Sequence, residues 1–134
     1  MNIQKELQAL ADKQELCFLG SITEEGYPMI RAMLRPIKIE ENCLFLHTNT
    51  SSKKVQQFLK NSKACLYFYD AKNFTGISLI GVMEVLSKEA DKIEFWQDQY
   101  HIYYEQGEDL SDFTVLEFTF DQGEFYQDFQ VTTF

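Results

Sequence analysis

From Leu16 onward the chain is a succession of short apolar runs broken by turn residues, and several of these runs are too close together to hold a crossover helix between them. Parallel neighbours need a connection of a dozen or more residues, whereas antiparallel neighbours can be joined by a tight turn. Leu16 to Thr23 ends at Glu24-Glu25-Gly26 and leads directly into a second run, Tyr27 to Ile39, with Cys43 to Thr48 close behind. Ala64 to Asp70 and Ile77 to Leu86 are separated by a short loop containing Asn73 and Gly76, and Phe113 to Phe120 and Glu124 to Val131 read as a last hairpin around Asp121-Gln122-Gly123. The pattern predicts about seven strands. It selects an antiparallel barrel over a doubly wound α/β fold.

Helical spacing interrupts the strands in three places. Ile3, Leu7, Leu10 and Ala11 predict an amphipathic helix over residues 2 to 13. Val55, Phe58 and Leu59, preceded by Asn49-Thr50-Ser51-Ser52 as capping chemistry, predict a second over Ser52 to Lys60. Ile93, Trp96 and Tyr100 mark a third after Ser87, with Trp96 on its core stripe. Pro28 and Pro36, near the ends of the second strand, point to an edge or a bend there. Gly81 inside a strand points to a bulge or a close backbone approach.

At 134 residues the chain predicts one domain spanning 1–134, and 45% hydrophobic content excludes a disordered acidic tail. The net charge of −9 argues against nucleic acid and anionic membranes, which carry the same sign. That charge is unevenly spread. Between Arg31 and Lys63 lie seven lysines and arginines against two glutamates, a net of +5, while the remainder carries five against nineteen, a net of −14. A basic island in an acidic chain suits one small anion and repels long ones.

Cys17, Cys43 and Cys65 each sit in an apolar run, so three buried free thiols are expected, as in a reducing compartment. No His or Cys cluster has metal-ligand spacing, and the acidic run Glu105, Glu108, Asp109 and Asp112 lacks calcium-loop spacing and reads as solvated loop. No secretory apolar region and no run of about 18 apolar residues is present, so the expectation is a cytoplasmic protein without a membrane partner.

Two segments depart from ordinary patterning. In Tyr27-Pro-Met-Ile-Arg-Ala-Met-Leu-Arg-Pro-Ile, alternation places Met29, Arg31, Met33 and Arg35 on one face and Ile30, Ala32 and Leu34 on the other. The Ile30 face is expected to be core, leaving the arginine and methionine face for a planar ligand with a charged end. In Leu46-His-Thr-Asn-Thr-Ser-Ser-Lys-Lys-Val, Lys53 and Lys54 fall in the first turn of a helix, the end whose dipole repels cations. An anion seated there on backbone N–H groups, the Ser52 hydroxyl and both ammonium groups would reverse that conflict. His47 reads as a hydrogen-bonding residue at a strand end, and no acid, base or nucleophile is nominated.

These segments resemble the pyridoxamine 5′-phosphate oxidase-like FMN-binding split barrels, in particular the short general-stress-protein type. Arg31-Ala-Met-Leu-Arg-Pro is similar to that family's Arg-x-(Met/Val)-Leu strand, and His47-Thr-Asn-Thr-Ser-Ser-Lys-Lys to its (Tyr/Phe)-Thr-x-x-x-Ser-(Arg/Lys)-Lys turn. Ile80-Gly-Val-Met-Glu-Val-Leu-Ser, Lys92-Ile-Glu-Phe-Trp and Tyr103-Tyr-Glu-Gln-Gly support the likeness. The resemblance implies a mainly β fold, a six-stranded antiparallel split barrel with flanking helices, working as a homodimer with FMN at the interface. It implies phosphate contacts from Arg31, Ser52, Lys53 and Lys54, with Ala32, Met33, Leu34, His47 and Thr48 lining the rest of the flavin. Gly76 stands near the position of a family glutamine, and Pro36 stands where the true oxidases carry a flavin-contacting lysine. A longer C-terminal segment with a substrate-binding Arg-x-His is missing, so pyridoxamine phosphate is not the implied substrate. The implied activity is an FMN-dependent oxidoreductase using NAD(P)H or another small molecule. A non-catalytic flavin sensor or store is the alternative, and haem and deazaflavin are the other cofactors hosted by related barrels.

Overall fold

Asn2 starts the first helix by accepting a hydrogen bond from the Lys5 backbone N–H at 3.2 Å, a side-chain cap for a donor without a helical partner. The helix, α1 (Ile3–Lys13), buries Leu7, Leu10 and Ala11 as its spacing requires. The computed structural model describes residues 1–104 and 110–134. Glu105, Glu108 and Asp109 of the acidic run lie outside the described residues.

Among the described residues eight strands follow: β1 (Leu16–Ile22), β2 (Pro28–Leu34), β3 (Lys38–Glu40), β4 (Cys43–Asn49), β5 (Lys63–Asp70), β6 (Thr75–Leu86), β7 (Phe113–Gln127) and β8 (Gln130–Thr133). Helix α2 (Lys53–Lys60) lies between β4 and β5, and α3 (Glu89–Phe95) follows β6. Every strand pairing is antiparallel, in the order β2-β1-β5-β6-β7-β4-β3, with β8 on β7. The sheet curls until β2 approaches β4, yet the two exchange no ladder bonds, so the barrel is split rather than closed. The antiparallel split barrel is therefore as expected, with eight strands in place of six.

One strand boundary raises the count from the seven read along the sequence to eight, and another is displaced. The run Tyr27 to Ile39 is two strands, because Pro36 cannot donate to a ladder and the chain turns at Arg35-Pro36-Ile37 before β3. β2 does lie at an edge. The last hairpin is also displaced. Asp121-Gln122-Gly123 is not a turn: β7 passes through it unbroken, with a register shift opposite Ile80 and Gly81 that leaves Asp121 as the extra residue of a bulge. Gly123 is there for packing, since a Cβ would collide with the Ser78 carbonyl and the Phe134 ring. The turn falls at Asp128-Phe129, both in the left-handed region at φ 52° and 64°, which joins β7 to β8 by a two-residue loop.

The predicted third helix also breaks. Trp96 is extended at ψ 138°, so α3 stops at Phe95 and a single 3-10 turn, Asp98–Ile102, carries Tyr100 inward. Trp96 is half-buried, and Phe95, Tyr100, Tyr104, Phe113 and Val115 form a second core beside the main one.

The β2 faces are reversed from expectation. Met33 is buried in the main core at 7% exposure, whereas Ile30 is 68% exposed. Ile30, Gly20, Cys65 and Ile80 are successive cross-strand partners and share the outer face. Apolar residues on both faces of a strand do not say which face the helices cover, and α2 packs against β1 on the inner side with Phe58 in the core. Cys65 follows the same reversal. It is exposed and Cys43 is half-buried, so of the three thiols, all free, only Cys17 is buried, where loss of solvation pushes its pKa to about 12.

Gly81 marks both a bulge and a close approach: a Cβ there would overlap the Thr119 carbonyl and the Phe120 Cα, backbone atoms that cannot swing away. Gly81→Ala is expected to destabilise by at least about 2 kcal/mol in urea unfolding. An unchanged midpoint would show that β6 and β7 tolerate separation at the bulge.

Candidate functional site

The turn that launches α2 is fixed from the far end of the chain. Asp112, just ahead of β7, accepts the Asn49 side-chain N–H at 2.7 Å and the Ser51 backbone N–H at 3.1 Å, while its carbonyl accepts the Thr50 N–H at 2.8 Å. Thr50 and Thr114 hydroxyls meet at 2.6 Å. Partial burial would raise the Asp112 pKa, but these donors outweigh it and hold the carboxyl below its ordinary value. The turn is thereby tied to the sheet before the helix begins.

Ser52 occupies the N-cap position of α2 without capping it. Its hydroxyl makes no bond to the helix, is buried, and has no hydrogen-bond partner, a cost of about 1–3 kcal/mol for a group that native structures rarely leave alone. The first turn of α2 holds no acid, and its backbone N–H groups point the positive end of the dipole the same way.

Two cations converge on this end. The Lys54 ammonium donates to Thr48 Oγ1 at 2.9 Å, and Arg31 donates to the Leu19 carbonyl at 3.2 Å and to Gln57 Oε1 at 3.1 Å. Burial lowers the pKa of both, and the Arg31 charge lowers that of Lys54 further. Among the described residues the ion pairs are Lys38–Glu40 and Lys60–Glu24, and neither involves these two. Arg31 and Lys54 are thus half-desolvated, mutually repelling, and held by neutral acceptors alone. An anion is the group that would complete them.

An open groove of about 730 Å³ starts at Ser51, Ser52 and Lys53 and runs between α2 and the β1–β2 turn. Gln57 joins it to the cations, lining the groove while its Oε1 accepts from both Arg31 and Ser21. On the other side of Thr48, His47 is buried in an aromatic cluster. Its Nδ1 lies 2.7 Å from the Tyr104 hydroxyl and its ring stacks on Tyr100 at 4.2 Å between centroids. Burial lowers the His47 pKa to about 4 and raises that of Tyr104. Neither is poised to exchange protons near neutrality.

The structure therefore gathers Arg31, Thr48, Ser52 and Lys54 at one place, with Lys53 exposed on the groove wall. It does not gather the rest within this chain. Met33 is in the core, Ala32 and Leu34 point to the outer face, and His47 faces the second core. Gly76 lies on β6, separated from β2 by β1 and β5, where it makes room for the Tyr67 hydroxyl. Sequence reasoning missed Gln57 and Asp112. Gln57 was detectable, being three residues after Lys54 and so on the same helical face. Asp112 is 61 residues from its partner Ser51 and carries no local signal. No group of three or more His, Cys, Asp or Glu able to hold a metal ion occurs among the described residues, and no described helix is long and apolar enough to cross a membrane.

A protein-family profile described as pyridoxamine 5′-phosphate oxidase matches residues 3–127. This chain belongs to the pyridoxamine 5′-phosphate oxidase family. Within it, a solved structure from Clostridium acetobutylicum, a protein related to general stress protein 26, is 37% identical over 97% of this chain and 92% of its own, with a TM-score of 0.88. A pyridoxamine 5′-phosphate oxidase-related, FMN-binding protein from Nostoc punctiforme superposes at TM-score 0.79 and 14% identity, covering 100% of this chain and 96% of its own. A heme-binding protein from Mycobacterium smegmatis superposes at 0.77 and 16% identity, over 100% and 58%. The last two share the fold. Comparison with curated protein sequences gives no significant match.

In this family member the burial of His47 sets a pH dependence with a definite sign. Its pKa is about 4 in the folded chain and near 6.5 when unfolded, so the unfolded state takes the proton first. The contribution is complete above about pH 6.5 and is lost as pH falls towards 4, by roughly 3 kcal/mol at most. His47→Phe is expected to flatten the slope of unfolding free energy against pH in this window. Equal slopes in the two proteins would show that His47 is not held neutral.

Proposed function

We propose that the protein binds FMN as a homodimer and serves as an FMN-dependent oxidoreductase in a reducing cytoplasm. The observation that carries this reading is the pair of desolvated cations, Arg31 and Lys54, with no carboxylate partner among the described residues, beside the orphaned Ser52 hydroxyl at the start of α2. A phosphate dianion satisfies all of these at once, and a membership in this family makes a flavin phosphate the leading candidate. A bound flavin would supply the hydride or electron transfer. The chain's own contribution is to hold the phosphate through Arg31, Lys54 and Ser52, to keep Arg31 oriented through Gln57, and to fix the turn through Asp112.

The outer face supports the second copy. Ile30, Cys65 and Ile80 form an exposed apolar row across three strands, the kind of patch that marks a protein interface. Ala32 and Leu34 lie on that same face and Gly76 on the same sheet, so a flavin placed where two copies meet would reach residues that one protomer keeps apart.

A flavin-binding module without turnover is the second reading, favoured by one observation: neither His47 nor Tyr104 titrates near neutrality, so neither stands ready as an acid or base. The two readings part under anaerobic NADH or NADPH. Bleaching of the yellow protein supports the oxidoreductase, colour that resists every reductant supports the module, and a protein that takes up haem but no flavin overturns both.

Arg31→Ala combined with Lys54→Ala is expected to weaken FMN binding about a hundredfold or more, read by quenching of flavin fluorescence, with the circular dichroism unchanged. Unchanged affinity would mean the phosphate lies elsewhere. Lys54→Met alone, which removes one of two repelling cations, is expected to raise the melting midpoint of the flavin-free protein while weakening FMN binding. A lowered midpoint would show that Lys54 is not under electrostatic strain.

A further inference from the structure

Ser21 carries a buried hydroxyl that the phosphate contacts do not use. It lies on β1 at 2% exposure, opposite Met29 of β2, and its hydroxyl donates to Oε1 of Gln57 on α2. The same oxygen accepts from Arg31 at 3.1 Å. An amide oxygen has two acceptor sites, so Ser21 and Arg31 fill it between them. The amide nitrogen is turned away, donating to the Met29 sulfur at 3.7 Å.

This arrangement works in one orientation of the amide. Turned over, it would present N–H groups to a guanidinium that has only donors. Gln57 stands three residues after Lys54 on the same helical face and lines the groove, where a half-buried glutamine left to itself would sample several rotamers. Ser21 has a short side chain on a paired strand, so it is the fixed point of the three. One end of the Arg31 guanidinium is held by the Leu19 and Met29 carbonyls at 3.2 and 3.5 Å, and the other by Gln57. The acceptor is also neutral. A carboxylate at position 57 would pair with Arg31 more strongly than an amide does and would take the place of an incoming anion. An amide orients the guanidinium and leaves its charge uncompensated.

We propose that Ser21 and Gln57 form a positioning relay: Ser21 locks the Gln57 amide, and the locked amide aims Arg31 at the anion seated at the start of α2 without neutralising it. This rests on the phosphate reading above and goes beyond it in giving Ser21 a role and in making the neutrality of Gln57 a condition for phosphate binding. Ser21 acts through Gln57 and is a positioning residue.

The experiment is calorimetric titration of the flavin-free protein with FMN and with riboflavin, which lacks the phosphate. It compares the wild type with Ser21→Ala, Gln57→Glu, Arg31→Ala and the double variant Ser21→Ala with Arg31→Ala, each shown to be folded by circular dichroism. Ser21→Ala is expected to lose about tenfold in FMN affinity, to keep riboflavin affinity within about twofold, and to add no loss to that of Arg31→Ala. Gln57→Glu is expected to lose at least about tenfold in FMN affinity while the melting midpoint of the flavin-free protein rises, opposite signs that a damaged fold does not give. The relay is overturned if Ser21→Ala binds FMN as the wild type does, if it weakens FMN and riboflavin alike, or if its loss adds in full to that of Arg31→Ala. Should Ser21→Ala fail to fold, Gln57→Glu decides, and FMN affinity equal to that of the wild type overturns the relay. In each of these cases the FMN reading stands. A wild-type protein that binds FMN no more tightly than riboflavin overturns the phosphate reading and the relay together.

Discussion

The structure depends on the full-length pairing of β6 with β7. β7 runs fifteen residues, lies along β6 on one edge, and on the other takes β4 over its first half and β8 over its last. A sheet this long must bend to enclose a core, and the bulge at Asp121 opposite Gly81 provides the bend. Because glycine lets the two backbones approach there, the curl brings β2 round towards β4. The start of β7 is also where the site is anchored. Asp112 and Thr114 hold the turn before α2, so the strand that organises the core also sets the position of the cradle.

At the cradle, local energetics oppose the arrangement. Two cations lose solvent without gaining a carboxylate, lysines sit at the positive end of a helix dipole, and a serine hydroxyl is buried unpaired. Each costs stability, and each is relieved by the same event, the arrival of an anion. The rest of the fold is locally consistent: α1 is capped and amphipathic, the strands alternate, and the β7–β8 turn has suitable backbone. Concentration of the conflicts at one point is the pattern expected of a functional site.

Much of this was legible in the sequence, for identifiable reasons. The 3.6-residue spacing of Leu7, Leu10 and Ala11 and the turn at Glu24-Glu25-Gly26 are local signals that tertiary packing left alone. The lysines at 53 and 54 were legible because they contradict the helix dipole. What was not legible depended on partners distant in the chain. Asp121-Gln122-Gly123 has the composition of a turn, but its glycine answers to Ser78 and Phe134. Ile30 is as apolar as any core residue, and only the placement of α2 decides that Met33 goes inward instead. Asp112 reads as surface acid until the fold brings it to Ser51.

The aromatic cluster around His47 gives the molecule a built-in optical reporter. Trp96 is the sole tryptophan of the sequence, and its ring meets the edges of Tyr100, His101, Tyr104 and Phe113 rather than any residue of the main core. Its emission therefore follows the second core alone, on the side of β4 where His47 precedes Thr48, while the twelve phenylalanines of the chain stay silent at the same excitation. Local melting of that side can be watched separately from global unfolding of the barrel.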